Sequence, residues 1–263
     1  MSQLAGRVVV ITGAARGIGW ACTQGFLDAG ATVVAVDRAW EGAEEARATL
    51  EAHPKTVITS FDITHPDDVD SVAAEVLGRV EGVDVLVNNV GLRQKELYPP
   101  SGAVTVLDST NADWEAMFGV NVLGTLNVTR AFAPAMISQR RGSIINIGSR
   151  DNPRIRNQPY AASKAALTSL SRYMAEELRP FNVAVNVLYP SGTMTTGSTE
   201  MVNANRAQGI VMAPLLRPTH VVPLALHLAE QDGAGETGGA IAAVEWNQAH
   251  GLGGPEQWVA EPG

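Results

Sequence analysis

The sequence predicts an α/β fold: one domain over residues 1–263, built on a doubly wound parallel sheet of seven strands flanked by helices. Three observations predict it. Short β-branched runs alternate with longer stretches of helical periodicity. The strand runs are near-continuously apolar, which means that both of their faces are covered, as in parallel sheets. A glycine-rich turn joins the first strand to the first helix, at the edge where open parallel sheets collect ligands.

Strands are expected at Arg7–Thr12, Thr32–Asp37, Val57–Asp62, Asp84–Asn88, Ser143–Gly148, Val183–Tyr189 and Ala240–Val244. A helix over Gly17–Ala29 follows from Ile18, Ala21, Cys22, Gly25, Phe26 and Ala29, which share one face. A second, Asp67–Val80, begins after Thr64 and Pro66, a capping residue and a first-turn proline. Longer helices are expected over Asp113–Gln139 and over Tyr160–Leu178, the latter ended by Pro180. Three irregular segments, Gly91–Ser109, Arg150–Pro159 and Pro190–Pro218, each follow the C-terminal end of a strand. The last is long for an internal connection and reads as a substrate lid, about 190–218. A tail of about 245–263 carries Trp246 and Trp258 and is a candidate subunit contact.

Composition narrows the class of partner. With 45% hydrophobic residues the chain can build a large core, and with 17% charged residues its surface is less charged than usual, which hints at buried subunit contacts. A net charge of −8 argues against nucleic acid or an anionic membrane as a partner. The one cysteine, Cys22, rules out an internal disulfide and reads as a core residue beside Ile18 and Phe26. No apolar run approaches the ~18 residues needed to cross a bilayer, and no apolar leader precedes the first strand. A cytoplasmic protein with a small-molecule partner is expected, and no metal.

Tyr160 and Lys164 carry the chemistry. A helix places positions i and i+4 on one face, and this is the one tyrosine in the chain with a lysine at that spacing. An adjacent ammonium favours the phenolate and is expected to lower the phenol's pKa, making Tyr160 an acid/base for an alcohol or carbonyl oxygen. The turn Gly13-Ala-Ala-Arg16-Gly17-Ile18-Gly19 lets backbone amides approach a pyrophosphate, with a helix N-terminus behind them. Asp37 ends the second strand, where a carboxylate accepts from the ribose hydroxyls of NAD and repels a 2′-phosphate. Arg16 and Arg38 lie nearby and suit NADP, but the carboxylate is weighed more heavily, so NAD is expected.

Together these residues resemble the short-chain dehydrogenase/reductase family along nearly the whole chain. Thr12 to Gly19 is similar to its glycine motif, Asn88-Asn89-Val90-Gly91 to its Asn-Asn-Ala-Gly element, and Tyr160 with Lys164 to its Tyr-x-x-x-Lys pair. The resemblance implies a Rossmann fold and an oxidoreductase exchanging hydride between a nicotinamide and an alcohol or ketone. It also implies that Ser149 orients the substrate oxygen, that Asn121 holds a water against Lys164, and that Lys164 binds the nicotinamide ribose. Asp62 and Ile63 would hold the adenine, and Asn89 and Gly91 would contact the cofactor. Pro190, Thr193 and Thr195 would grip the carboxamide. A homotetramer or homodimer is implied, with the helices around Asn121 and Lys164 at its main interface. Ser191 replaces the family's glycine after Pro190, which reduces backbone freedom at that turn.

The interval of 11 residues from Ser149 to Tyr160 resembles that in dehydrogenases of carboxylated cyclohexadiene diols. Arg150, Arg154 and Arg156 fall within it, and Arg93 follows the Asn-Asn-Val-Gly element. Guanidinium groups pair with carboxylates and phosphates. The substrate expected from them is anionic or polyhydroxylated: a sugar, a sugar acid or a cyclic diol. The alternatives are arginines that face solvent, another subunit or Asp151, an NADPH-dependent carbonyl or 3-oxoacyl-carrier-protein reductase, and a dinucleotide-binding protein without turnover.

Overall fold

The computed structural model describes residues 3–150, 158–196, 198–210 and 213–260. Seven parallel strands form one sheet in the order β3-β2-β1-β4-β5-β6-β7. They are β1 Val8–Thr12, β2 Thr32–Val36, β3 Thr56–Thr59, β4 Val85–Asn88, β5 Gly142–Ile147, β6 Val183–Tyr189 and β7 Ala240–Ala242. The helices between them are α1 Gly17–Asp28, α2 Glu44–Glu51, α3 Pro66–Arg79, α4 Gln94–Leu97, α5 Asn111–Phe118, α6 Thr125–Gln139, α7 Gln158–Leu178, α8 Ser198–Ala207, α9 Val222–Ala229 and α10 Ala243–Ala249.

Alternation along the central strands divides the core. Val9, Ile11, Val33 and Val85 pack on one face with Cys22 and Phe26 of α1 and Leu224 of α9. Val10, Val34, Leu86 and Ile144 pack on the other with Val69 of α3 and Phe132 of α6. Both faces are thus covered, which is why the strands read as unbroken apolar runs. The chain winds outward from β1 in one direction and from β4 in the other. The crevice between their C-terminal ends is therefore the switch point at which such sheets bind ligands.

The structure corrects three sequence expectations. The stretch expected as one helix, Asp113–Gln139, is two helices joined by a π-helical turn at Gly119–Gly124. Its first half starts at a capping box in which Thr110 and Asp113 satisfy each other's backbone amides. The last strand stops at Ala242, and Ala243 and Val244 open α10, where Ala243 is fully buried in the core. The expected lid is not wholly irregular, since it contains α8. There Asn205 donates to Ser101 O at 2.9 Å, holding the helix to the segment after α4.

Candidate active site

At the end of β1, Gly13 and Gly17 adopt left-handed φ of 67° and 58°. A Cβ on Gly19 would stand 1.9 Å from the Gly13 carbonyl oxygen, so the turn closes this tightly only with glycine there. No side chain caps the N-terminus of α1, which leaves its first amides for a ligand. Asn89, expected to touch a cofactor, donates to the Thr12 and Gly13 carbonyls at 3.0 and 3.1 Å and ties the end of β4 to the turn, where it also borders the cavity.

Asp37 lies beyond the tip of β2. Its Oδ2 accepts from Ala15 N at 3.0 Å and its Oδ1 from Ala39 N at 3.4 Å, which fixes the carboxylate at the edge of the turn. Arg16 lines the same cavity and donates to Glu41 O at 3.3 Å. Arg38 is 77% exposed and lies 3.5 Å from Asp62. Burial pushes the Asp62 carboxyl up, but the Thr64 amide and hydroxyl and the Arg38 cation outweigh it and hold Asp62 below the usual carboxylate range. Ile63 is buried at the next position, where its side chain leaves no room for a Cβ on Gly124.

A cavity of about 560 Å³ runs along this edge. Asp37, Asp62 and Ile63 line one part of it, and Tyr160, Lys164 and Pro190 line another. Asn121, in the π-helical turn, is fully buried. Its Oδ1 accepts from Leu92 N at 2.8 Å, and its amide donates to Leu92 O and to Ser163 Oγ. A Cβ on Gly91 would lie 3.1 Å from Lys164 Nζ and 3.3 Å from Asn121 Oδ1, so glycine lets these two groups converge.

Tyr160 and Lys164 meet in the cavity, but the electrostatics differ from the expectation. Lys164 Nζ donates to Ile147 O at 2.8 Å, and burial lowers its pKa to about 8. Burial raises the Tyr160 phenol above its ordinary value. A hydrogen bond with Ser149 and the Arg93 cation pull it back, and Glu96 opposes them. Arg93 thus joins the site as a cation that favours the phenolate, while Lys164 is held on the Ile147 carbonyl and its own charge is opposed by burial.

Beyond β6, Pro190 lines the cavity and Ser191 takes a φ of 59°. Left-handed backbone costs a non-glycine residue about 1–2 kcal/mol. Thr193 folds back to donate to Pro190 O at 3.0 Å, whereas Thr195 faces the cavity and accepts from Arg93 Nη1 at 2.6 Å. Arg93 also pairs with Glu96 at 2.6 Å, so its donors are committed to a neighbouring carboxylate and to Thr195. Arg150 is 57% exposed and pairs with Glu245 of α10 instead of bordering the cavity. Arg154 and Arg156 lie outside the described residues. The sequence reading missed Glu96 and Leu92, both cavity-lining, and gave no role to Thr12 beyond the glycine motif, though its hydroxyl accepts from Asn89 N. For Leu92 and Glu96 the signal was their position just after β4, a switch-point strand.

The family model for short chain dehydrogenase matches residues 7–207. The chain belongs to the short-chain dehydrogenase family. A fluoren-9-ol dehydrogenase of Terrabacter sp. is 42% identical, the match covering 97% of this chain and 76% of the relative. A 3-oxoacyl-(acyl-carrier-protein) reductase of Thermotoga maritima is 34% identical over 91% and 96%. The crystal structure of a 3-ketoacyl-(acyl-carrier-protein) reductase from Brucella melitensis, complexed with NADH, superposes with a TM-score of 0.78. It is 29% identical, over 91% of this chain and 97% of that one. Like its relatives, this dehydrogenase is an oxidoreductase of alcohols and ketones with a nicotinamide cofactor. Among the described residues no helix is long and apolar enough to cross a membrane.

Proposed function

We propose that the protein is an NAD-dependent dehydrogenase of a neutral secondary alcohol borne on a ring. One observation carries the reading: a single cavity has the half-buried Asp37 carboxylate in its lining together with the Tyr160–Lys164 pair. The residues suit a dinucleotide. A Cβ would fill the cradle at Gly13, where it would stand 2.7 Å from Asn89 Nδ2, and the uncapped amides of α1 would suit an anion. When bound, the nicotinamide accepts hydride from the alcohol carbon. Asp37 would accept from the adenosine ribose and exclude a 2′-phosphate. Asp62 and Ile63 would hold the adenine, Gly91 would leave room for the nicotinamide ribose beside Lys164, and Pro190 and Thr195 would hold the nicotinamide. Tyr160 takes the hydroxyl proton, Ser149 orients the substrate oxygen, and Asn121 holds Leu92 and the loop that carries Gly91.

Burial raises the Tyr160 phenol and the Ser149 hydrogen bond and Arg93 cation oppose that rise, so a positively charged ring bound beside them would favour the phenolate further. A neutral substrate is favoured over an anion because Arg93 and Arg150 are each paired with a carboxylate. The fluoren-9-ol relative acts on an alcohol of this neutral kind. We propose a homo-oligomer as well, since Leu123 of the π-helical turn and Tyr173 of α7 are 56% and 73% exposed.

The test is a panel of fluoren-9-ol, galactitol and a carboxylated cyclohexadiene diol with NAD⁺ and NADP⁺, read as cofactor reduction. Fastest turnover of the neutral ring alcohol with NAD⁺ is expected. Preference for the carboxylated diol would overturn the substrate reading, and preference for NADP⁺ the cofactor reading. Reduction of a 3-oxoacyl thioester with NADPH is the second reading, favoured by the exposed Arg38 at the rim of the cavity.

A further inference from the structure

The imidazole of His220 is fully buried and takes no part in the chemistry above. It sits in the 3₁₀ turn Pro218–Val221, between α8 and α9. Its Nδ1 meets the Arg217 carbonyl oxygen at 2.7 Å, and its Nε2 meets the Pro190 carbonyl oxygen. The first contact is local. The second reaches back 30 residues, to the residue just before Ser191. The base of the ring is fixed on both sides, because His220 N donates to Arg217 O at 3.1 Å and His220 O accepts from Asn247 Nδ2 at 2.8 Å.

Two acceptors thus face one ring. A neutral imidazole carries a single N–H, and burial opposes the imidazolium that would serve both. The proton is most useful on Nε2. Ser191 is left-handed, and a strained residue of this kind persists only where its surroundings over-determine it. Downstream of Ser191, Gly192 O accepts from Leu216 N and Met194 N donates to Leu216 O, each at 2.8 Å. Upstream, among the described residues, the hydrogen bond of Pro190 O that leaves the turn is the one to His220.

We propose that His220 is the positioning residue of the Pro190–Thr193 turn: its Nε2–H holds the Pro190 carbonyl and keeps Ser191 in the conformation that shapes the cofactor cavity. The proposal rests on the reading of that turn as a border of the nicotinamide site.

Two amide variants of the full-length protein separate the two ring nitrogens. A glutamine amide reaches towards the place of Nε2, whereas an asparagine amide stops near Nδ1. In His220→Asn the NADH dissociation constant, from fluorescence titration, is expected to rise about tenfold, the loss of one net hydrogen bond. His220→Gln should return to within about threefold of the unmodified protein. The change should appear in cofactor affinity and in KM for NAD⁺ more than in kcat. Adding Ser191→Gly to His220→Asn should restore affinity, because glycine takes the left-handed conformation without strain. Equal losses in the two amide variants, or no repair by Ser191→Gly, would overturn the proposal.

If His220→Asn fails to fold, ¹⁵N spectra of the unmodified protein decide: a protonated Nε2 on His220 is expected, and a bare Nε2 refutes it. Failure of the unmodified protein to bind NADH at all would sink the proposed function, while the imidazole spectrum would still judge His220.

Discussion

Replacing Asp37 by Asn should remove most of the discrimination between NAD⁺ and NADP⁺. The carboxylate is half-buried and is held by the amides of Ala15 and Ala39 at 3.0 and 3.4 Å, so it cannot swing away from a 2′-phosphate. Two unit charges about 4 Å apart repel by about 1 kcal/mol in water and about 4 kcal/mol at an effective dielectric near 20. An open, half-solvated cleft belongs in the lower half of that range, about 2 kcal/mol, or roughly thirtyfold in relative kcat/KM. Asparagine keeps an oxygen for the Ala15 amide and leaves the turn intact. Arg38, 77% exposed beside the cavity, then meets the phosphate unopposed from that side. The assay is kcat/KM with each cofactor for the unmodified protein and for Asp37→Asn. A ratio that moves by less than about threefold would refute the reasoning, because repulsion by a fixed charge would then not be what selects the cofactor.

Further outcomes follow from other residues. Tyr160→Phe should lower turnover by about 10² or more while NADH still binds, as steady-state kinetics and fluorescence titration would record. Lys164 titrates near 8 when folded against 10.5 as a free side chain, so burial destabilises the fold below pH 8 and the penalty fades as pH rises to 10.5. Lys164→Met should therefore stabilise the protein at pH 7, by up to about 3 kcal/mol less the lost bond to Ile147, and the gain should vanish by pH 10.5 in thermal melts. Phe132, fully buried against the sheet, should cost about 3–5 kcal/mol on truncation to alanine, read by denaturant unfolding. Arg150→Glu should leave the KM ratio of charged to neutral alcohols within about twofold and stability within about 1 kcal/mol, since its pair with Glu245 is exposed on both sides.

Much of the fold was legible because burial on both faces leaves a plain trace, the valine-rich, near-continuously apolar runs of β1, β2, β4 and β6. The glycine turn was legible for a similar reason: its backbone conformations admit few other residues. The meeting of Tyr160 with Lys164 followed from helical spacing alone. The direction of the phenol's shift did not, since it depends on how deeply the ring is buried and on Arg93 and Glu96, which arrive from a segment more than sixty residues earlier. Sequence left Arg150 open between a substrate and the surface, because its partner, Glu245, lies 95 residues away on a helix that was expected to begin as a strand. Ser191 was rightly singled out as a departure, but only the folded backbone shows that serine accepts the left-handed conformation there.

The π-helical turn at Gly119–Gly124 gives α5 and α6 separate angular frames. One residue of an α-helix corresponds to roughly 100° of rotation. Deleting a single residue ahead of Asn121 would let the two helices merge into one regular rod, yet it would swing the Thr110–Trp114 end about a quarter-turn round the axis. The asparagine is therefore aimed by a phase offset, and a shortened chain with smoother helical geometry would point it, or everything before it, the wrong way.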